Sequence, residues 1–155
     1  MRKTFCFDDV LLEPQFSMIE SRNQISLETP FSFRANETLK LPIVSAPMDT
    51  VTGVEMAIAM HRAGGLGILH RYNSIDEQSA LVQQILSVNP HIRFGAAIGV
   101  TKEFESRACA LYDAGCRIFC LDIAHGHHFL MKAALKSLRQ IFGVSVHLMA
   151  GNIAT

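Results

Sequence analysis

The sequence predicts an α/β fold of the (β/α)8 barrel type, carrying about the first five strands and four helices. Three observations predict it. Short apolar runs alternate with amphipathic runs at spacings of 24 to 28 residues from Leu41 onward. The apolar runs are almost wholly hydrophobic, as strands are when both faces of a parallel sheet are covered. Polar and small residues gather where each run ends, which is where parallel α/β folds place ligands. A closed barrel needs eight units and about 250 residues, so these 155 residues are expected to supply part of one.

The strand candidates are Leu41–Ala46, Leu66–His70, Arg93–Ile98, Arg117–Asp122 and Ser145–Ala150. The first helix falls between Asp49 and Gly64, where Gly64-Gly65 reads as a helix stop and Gly67 as a close-packing position. Ser74-Ile75-Asp76-Glu77 has the form of a capping box and opens the second helix, whose apolar stripe is Leu81, Val82, Ile85 and Leu86. Phe104, Ala108 and Leu111 line the third, and Gly115 ends it. Leu130, Ala134, Leu138 and Ile141 line the fourth, and Gly143 closes it. Strand–helix alternation implies parallel strands joined by right-handed crossovers. An open doubly wound sheet has the same alternation, but no G-x-G-x-x-G follows the first strand.

Residues 1–40 differ. Phe5, Phe7, Val10, Leu11 and Leu12 surround Asp8-Asp9, and Ile25, Leu27, Phe31 and Phe33 alternate with Ser26, Glu28, Ser32 and Arg34 as in a half-buried strand. At this length the segment has no core of its own. It is expected to cover one end of the partial barrel formed by 41–155.

Fourteen basic residues balance fourteen acidic ones, which leaves no electrostatic footprint for nucleic acid or an anionic membrane. No run reaches the ~18 apolar residues of a membrane span, and Met1-Arg2-Lys3-Thr4-Phe5 lacks the apolar stretch of a signal peptide. Cys6, Cys109, Cys116 and Cys120 form no CxxC pair and read as free thiols of a cytoplasmic protein.

The strand ends hold the candidate site. Asp49 reads equally as a cap for the first helix or as an orienting group. Asp122, ending an apolar strand, suits a diol such as ribose, because a carboxylate accepts two hydrogen bonds. His70 and Arg71 suit an anion or an ordinary solvated loop. His125-x-His127-His128 suggests a metal, and with Asp122 a metal-dependent hydrolase. Three or four ligands of fixed geometry are needed, however, so no metal site is assigned.

At these loops the sequence resembles the IMP dehydrogenase/GMP reductase family. The matching stretches are Phe7-Asp8-Asp9-Val10-Leu11-Leu12-x-Pro14, Pro42 through Thr52, Gly64 through His70, Asp122-Ile123-Ala124-His125-Gly126-His127 and Ala150 through Thr155, in family order along the whole chain. The resemblance implies a (β/α)8 barrel, a homo-oligomer (a tetramer in the family), and hydride transfer between C2 of a purine nucleoside monophosphate and NAD or NADP. Carried over by position, Ala46 and Met48 lie against the nucleotide with Asp49 beside them. Asp122 and Ala124 border the cofactor, and Asn152 supports the reacting centre.

The family's nucleophilic cysteine sits in a G-x-G-S-x-C-x-T loop after the sixth strand. None of the four cysteines has that context, so the nucleophile is expected beyond Thr155 and the isolated chain is expected to be inactive. Only Arg71–Ile92 separates the second and third strands, without the regulatory modules usual in IMP dehydrogenases; this and Ser21-Arg22 point to GMP reductase. Pro47 through Thr52 is closer to the dehydrogenases, and Arg71 stands where the better-known reductases have lysine. The balance leans to GMP reductase. The alternative is a non-catalytic partial barrel that binds nucleotide or docks on a partner.

Overall fold

A computed structural model describes residues 3–31 and 37–153. Ser32, Phe33 and Arg34 of the anticipated N-terminal strand lie outside the described residues, as do Ala154 and Thr155. Among the described residues seven strands and four α-helices run in the order β1 (Thr29–Pro30), β2 (Thr38–Leu39), β3 (Val44–Ser45), α1 (Val54–Ala63), β4 (Leu66–Leu69), α2 (Ile75–Val88), β5 (Phe94–Ile98), α3 (Phe104–Asp113), β6 (Ile118–Asp122), α4 (Phe129–Phe142) and β7 (His147–Gly151). β3 through β7 form one parallel sheet in sequence order, the arrangement of a partial (β/α) barrel. Each anticipated strand after residue 40 is present, shifted by at most a few residues. The largest difference is β3, where only Val44 and Ser45 pair with Leu66 and Gly67.

The two faces of the sheet have separate cores. On the helix side Leu69, Phe94, Ala96, Ile98, Phe119 and Leu121 pack with Ala57, Val82, Ile85, Leu111 and Leu138. On the other side Leu66, Ile68, Ala97, Ile118 and Cys120 form a second cluster with Leu39, Phe31 and Met149. Alternation along each strand assigns successive residues to the two clusters, and double coverage explains why β4 and β5 are buried at every position.

Glycine sets how closely the first helix approaches the sheet. At Gly64 the backbone adopts φ +87°, the left-handed form that ends α1, and its N–H answers the Met60 and His61 carbonyls. Gly67 is there for space: a Cβ would lie 2.6 Å from Ala57 Cα. Gly67→Ala is expected to push α1 off β4 and to cost about 1–3 kcal/mol, as overpacking does. An unchanged urea midpoint would show that α1 gives way freely.

The capping box at Ser74 forms in both directions. The Ser74 hydroxyl accepts from Glu77 N–H at 3.1 Å, and the Glu77 carboxylate accepts from Ser74 N–H at 2.8 Å. Ser74 N–H first, and then the Ser74 hydroxyl donating to the same carboxylate, hold the Glu77 carboxyl below its usual range.

At the N-terminal ends of the strands, β1 and β2 pair antiparallel and bring Leu39 and Phe31 under the sheet. Arg93 Nη1 donates to Thr38 O at 2.6 Å, and Glu37 meets His147 at 2.9 Å. Residues 3–28 have short 3-10 turns at Phe7–Asp9 and Arg22–Gln24. Leu11 and Leu12 in this stretch are 98% exposed, and Phe16 is 92% exposed.

Candidate active site

At the C-terminal ends of β3, β4, β6 and β7 lies a cavity of about 480 Å³, within the range of small-molecule sites. The loop after β3 supplies Ala46, Pro47 and Met48. The loop after β4 supplies Arg71 and Tyr72, β6 and its loop supply Asp122, Ile123 and Ala124, and the end of β7 supplies Asn152. These residues lie as much as 106 residues apart in sequence (152 − 46), and parallel pairing brings them together.

Each segment is held by its own bonds. After β3 the chain turns back on itself: Met48 N–H donates to Ala46 O at 2.8 Å, and Thr52 N–H to Met48 O at 2.9 Å. The fully buried Thr52 hydroxyl donates to Ala46 O at 2.6 Å and lies 2.9 Å from Ser45 Oγ. This fixes the turn and leaves Met48 half exposed, a polarizable surface available to a planar base. Asn152 is clamped through its backbone. Its N–H donates to Ile123 O and its carbonyl accepts from Gly126 N–H, both at 2.7 Å. A Cβ at Gly126 would stand 2.8 Å from Asn152 O, so a side chain there would break the clamp.

Arg71 bridges two loops, donating from Nη2 to the Asp122 carbonyl at 3.2 Å. Its Nε is buried without a partner among the described residues, and its guanidinium lies 5.9 Å from the Tyr72 ring centre. Asp122 is the last residue of β6, opposite Gly151. Among the described residues nothing donates to its carboxylate or pairs with it. That carboxylate is open to hydroxyl donors of a ligand.

Behind the Arg71 loop is a buried polar tie. Gln78 is fully buried; its Nε2 donates to His70 O and to Ala97 O, both at 2.9 Å. Its Oε1 accepts from Arg107 Nη1 at 2.8 Å, and Arg107 Nη2 donates to Asn73 O at 3.0 Å. Burial, with the nearby Arg71 charge, pulls the Arg107 pKa down from its ordinary value. One amide thus joins the ends of β4 and β5 to α2 and α3.

Of the residues anticipated from sequence, the cavity gathers Ala46, Met48, Asp122, Ala124 and Asn152. Asp49 does not line it: it is exposed in the turn before α1, and the helix N-cap is Gly53. His128 caps α4, its Nδ1 accepting from Leu130 N–H at 3.2 Å. His125 and His127 stand 6.3 Å apart between ring centres, and among the described residues no group of three His, Cys, Asp or Glu is placed to hold a metal ion. Arg71, read from the sequence as an anion-binding or solvated loop residue, also lines the cavity, with Tyr72 beside it; the Gln78–Arg107 tie was not anticipated. One signal for the tie was legible: Gln78 falls on the stripe of Leu81, Val82 and Ile85, where a polar side chain must be buried with partners.

A family model described as the IMP dehydrogenase / GMP reductase domain matches residues 4–155. The chain belongs to this family. Among similar proteins, inosine-5'-monophosphate dehydrogenase of Cryptosporidium parvum is 32% identical over an alignment covering 99% of this chain and 47% of that protein. The enzyme of the same name from Methanocaldococcus jannaschii is 37% identical over 72% of this chain and 24% of its own length. That of Nitrosopumilus maritimus is 53% identical over 51% of this chain and 16% of its own length. The chain spans less than half the length of these curated relatives.

An IMP dehydrogenase/GMP reductase domain belongs to a family of oxidoreductases, so its thiols matter. None of the four lines the cavity. Burial pushes the Cys116 thiol up to about 12 and the Cys120 thiol up to about 11, with the Asp122 charge adding to the latter. No described helix is long and apolar enough to cross a membrane.

Proposed function

We propose that this chain forms the nucleotide-facing part of a purine nucleoside monophosphate oxidoreductase, moving a hydride between C2 of the base and NAD or NADP. The observation that carries the reading is the convergence of Met48, Asp122 and Asn152 on one cavity at the strand ends. Met48, with Ala46, offers the apolar shelf for the base. Asp122, with its unengaged carboxylate, suits the diol of the cofactor ribose, with Ala124 beside it. Asn152 holds an amide near the reacting position, and Arg71 keeps the Asp122 loop in place. When bound, the nicotinamide supplies the hydride acceptor or donor. None of the four thiols lines the cavity, so none is assigned the part of the nucleophile.

The relatives are named inosine-5'-monophosphate dehydrogenase, which favours the dehydrogenase direction over the reductase suggested by Ser21-Arg22 and the short Arg71–Ile92 connection. The burial of Phe31 and Leu39 against the sheet supports reading residues 1–40 as the cover of the barrel's N-terminal end. The exposed Leu11, Leu12, Phe16 and Met18 support self-association. A second reading, a partial barrel that binds nucleotide without turning it over, is favoured for the chain by itself because no thiol lines the cavity.

Asp122→Asn tests the cofactor assignment. Loss of a charge-assisted hydrogen bond is worth about 1.5–3 kcal/mol, so the Kd for nicotinamide dinucleotide should rise roughly 10- to 100-fold with the circular dichroism spectrum unchanged. An unaltered Kd would remove Asp122 from the site.

A further inference from the structure

A second cavity, of about 490 Å³, opens at the opposite end of the sheet, where β4 and β5 begin. Its charged lining is Lys40, Arg62 and Arg93 with His61 among them, and among the described residues it contains no carboxylate. Val88 and Ile92 add apolar surface. We propose that this basic cavity binds a small phosphate-bearing anion.

The chain as a whole is neutral, so three fixed cations around one cavity are a local excess. Among the described residues the only ion pair is Glu37 with His147, and Glu28 is engaged by the Thr38 hydroxyl. Neither carboxylate lines the cavity. Part of the cluster has another explanation: His61 and Arg62 lie in the last turn of α1, where cations answer the carbonyl end of a helix. That end is already served by Gly64 N–H and Gly65 N–H, which donate to the His61 and Met60 carbonyls. Nor does a helix end account for Lys40, which follows β2, or Arg93, which precedes β5. Gly64 is packed tightly against Lys40: a Cβ there would lie 2.7 Å from Lys40 Cβ.

The donors are arranged as a binding set. Arg93 N–H donates to His61 Nδ1 at 3.1 Å, which fixes the hydrogen of a neutral His61 on Nε2. Burial, then the Arg93 and Arg62 charges, lowers the His61 pKa and keeps it neutral. Arg93 Nη1 donates to Thr38 O, which orients the guanidinium while leaving its other N–H groups for a ligand. Three cations are answered better by a doubly charged phosphate than by a single carboxylate, and guanidinium geometry suits phosphate oxygens. The cavity volume admits a phosphoester larger than inorganic phosphate.

Isothermal titration with pyrophosphate tests the site. One saturable site per chain is expected. Lys40→Gln with Arg62→Gln, both at exposed positions, should raise the Kd at least about tenfold with the circular dichroism spectrum retained. Lys40→Gln alone gives the same direction of change if the double variant does not fold. Arg71→Gln, at the other cavity, should leave the Kd as it was. Failure of the wild-type chain to saturate at millimolar pyrophosphate would overturn the proposal. So would wild-type binding by the Lys40 and Arg62 variants, or loss of binding in Arg71→Gln alone.

Discussion

Mixed with IMP and NAD, or with GMP and NADPH, the 155-residue chain is expected to release no product above the protein-free background. Covalent catalysis at C2 needs a thiolate beside the base. Cys116 and Cys120 sit inside the sheet cores, and with pKa values near 12 and 11 roughly one in 10⁵ and one in 10⁴ is ionised at neutral pH. Cys6 and Cys109 are more accessible, but neither lines the cavity. Loss of a covalent nucleophile costs on the order of a million-fold in kcat where it has been measured in a protease, so the deficit is effectively complete. Chromatographic detection of the product nucleotide is the measurement. Turnover abolished by a thiol reagent would mean that one of these four thiols reaches the base. Nucleotide binding without turnover is the expected companion result.

Gln78→Leu should be the most damaging single change to the scaffold among those considered. The side chains are similar in volume, so the loss is one of hydrogen bonding. Two strand-end carbonyls, His70 O and Ala97 O, and one Arg107 N–H would lose their partner. An unsatisfied buried polar group costs about 1–3 kcal/mol, more when charged. With some relaxation, a loss of about 3 kcal/mol or more is expected by urea unfolding, a large share of the 5–15 kcal/mol typical of a domain. Because the same amide holds the loop carrying Arg71 and Tyr72, nucleotide affinity should fall in whatever fraction remains folded. A change below about 0.5 kcal/mol, the usual size for an uninvolved surface position, would show that water replaces the amide.

Much of the scaffold was legible because its signals are local. The capping box at Ser74 needs only four consecutive residues, and it forms as written. Gly64 ends α1 and Gly67 admits Ala57, as expected of a helix stop and a close-packing position. Asp122 and Met48 were recognisable as oddities at the ends of apolar strands. Arg107 was not: one arginine on a helix looks solvated until α3 packs against α2 and presents it to Gln78. Asp49 shows the same dependence on packing. It sits one residue from a cavity-lining side chain, yet the bonds from Val51 and Thr52 N–H to the Met48 carbonyl form a turn that leaves it exposed and outside the cavity lining.

The order of residues by itself determined the alternation of strand and helix, the parallel sheet and the collection of polar groups at its C-terminal ends, because apolar periodicity and glycine placement act over a few residues. Only tertiary packing decided which of those groups share a cavity, which thiols are buried beyond easy ionisation, and that Lys40, Arg62 and Arg93 meet at the opposite end. Those outcomes depend on register between strands and on desolvation, which are set by neighbours far away in the chain.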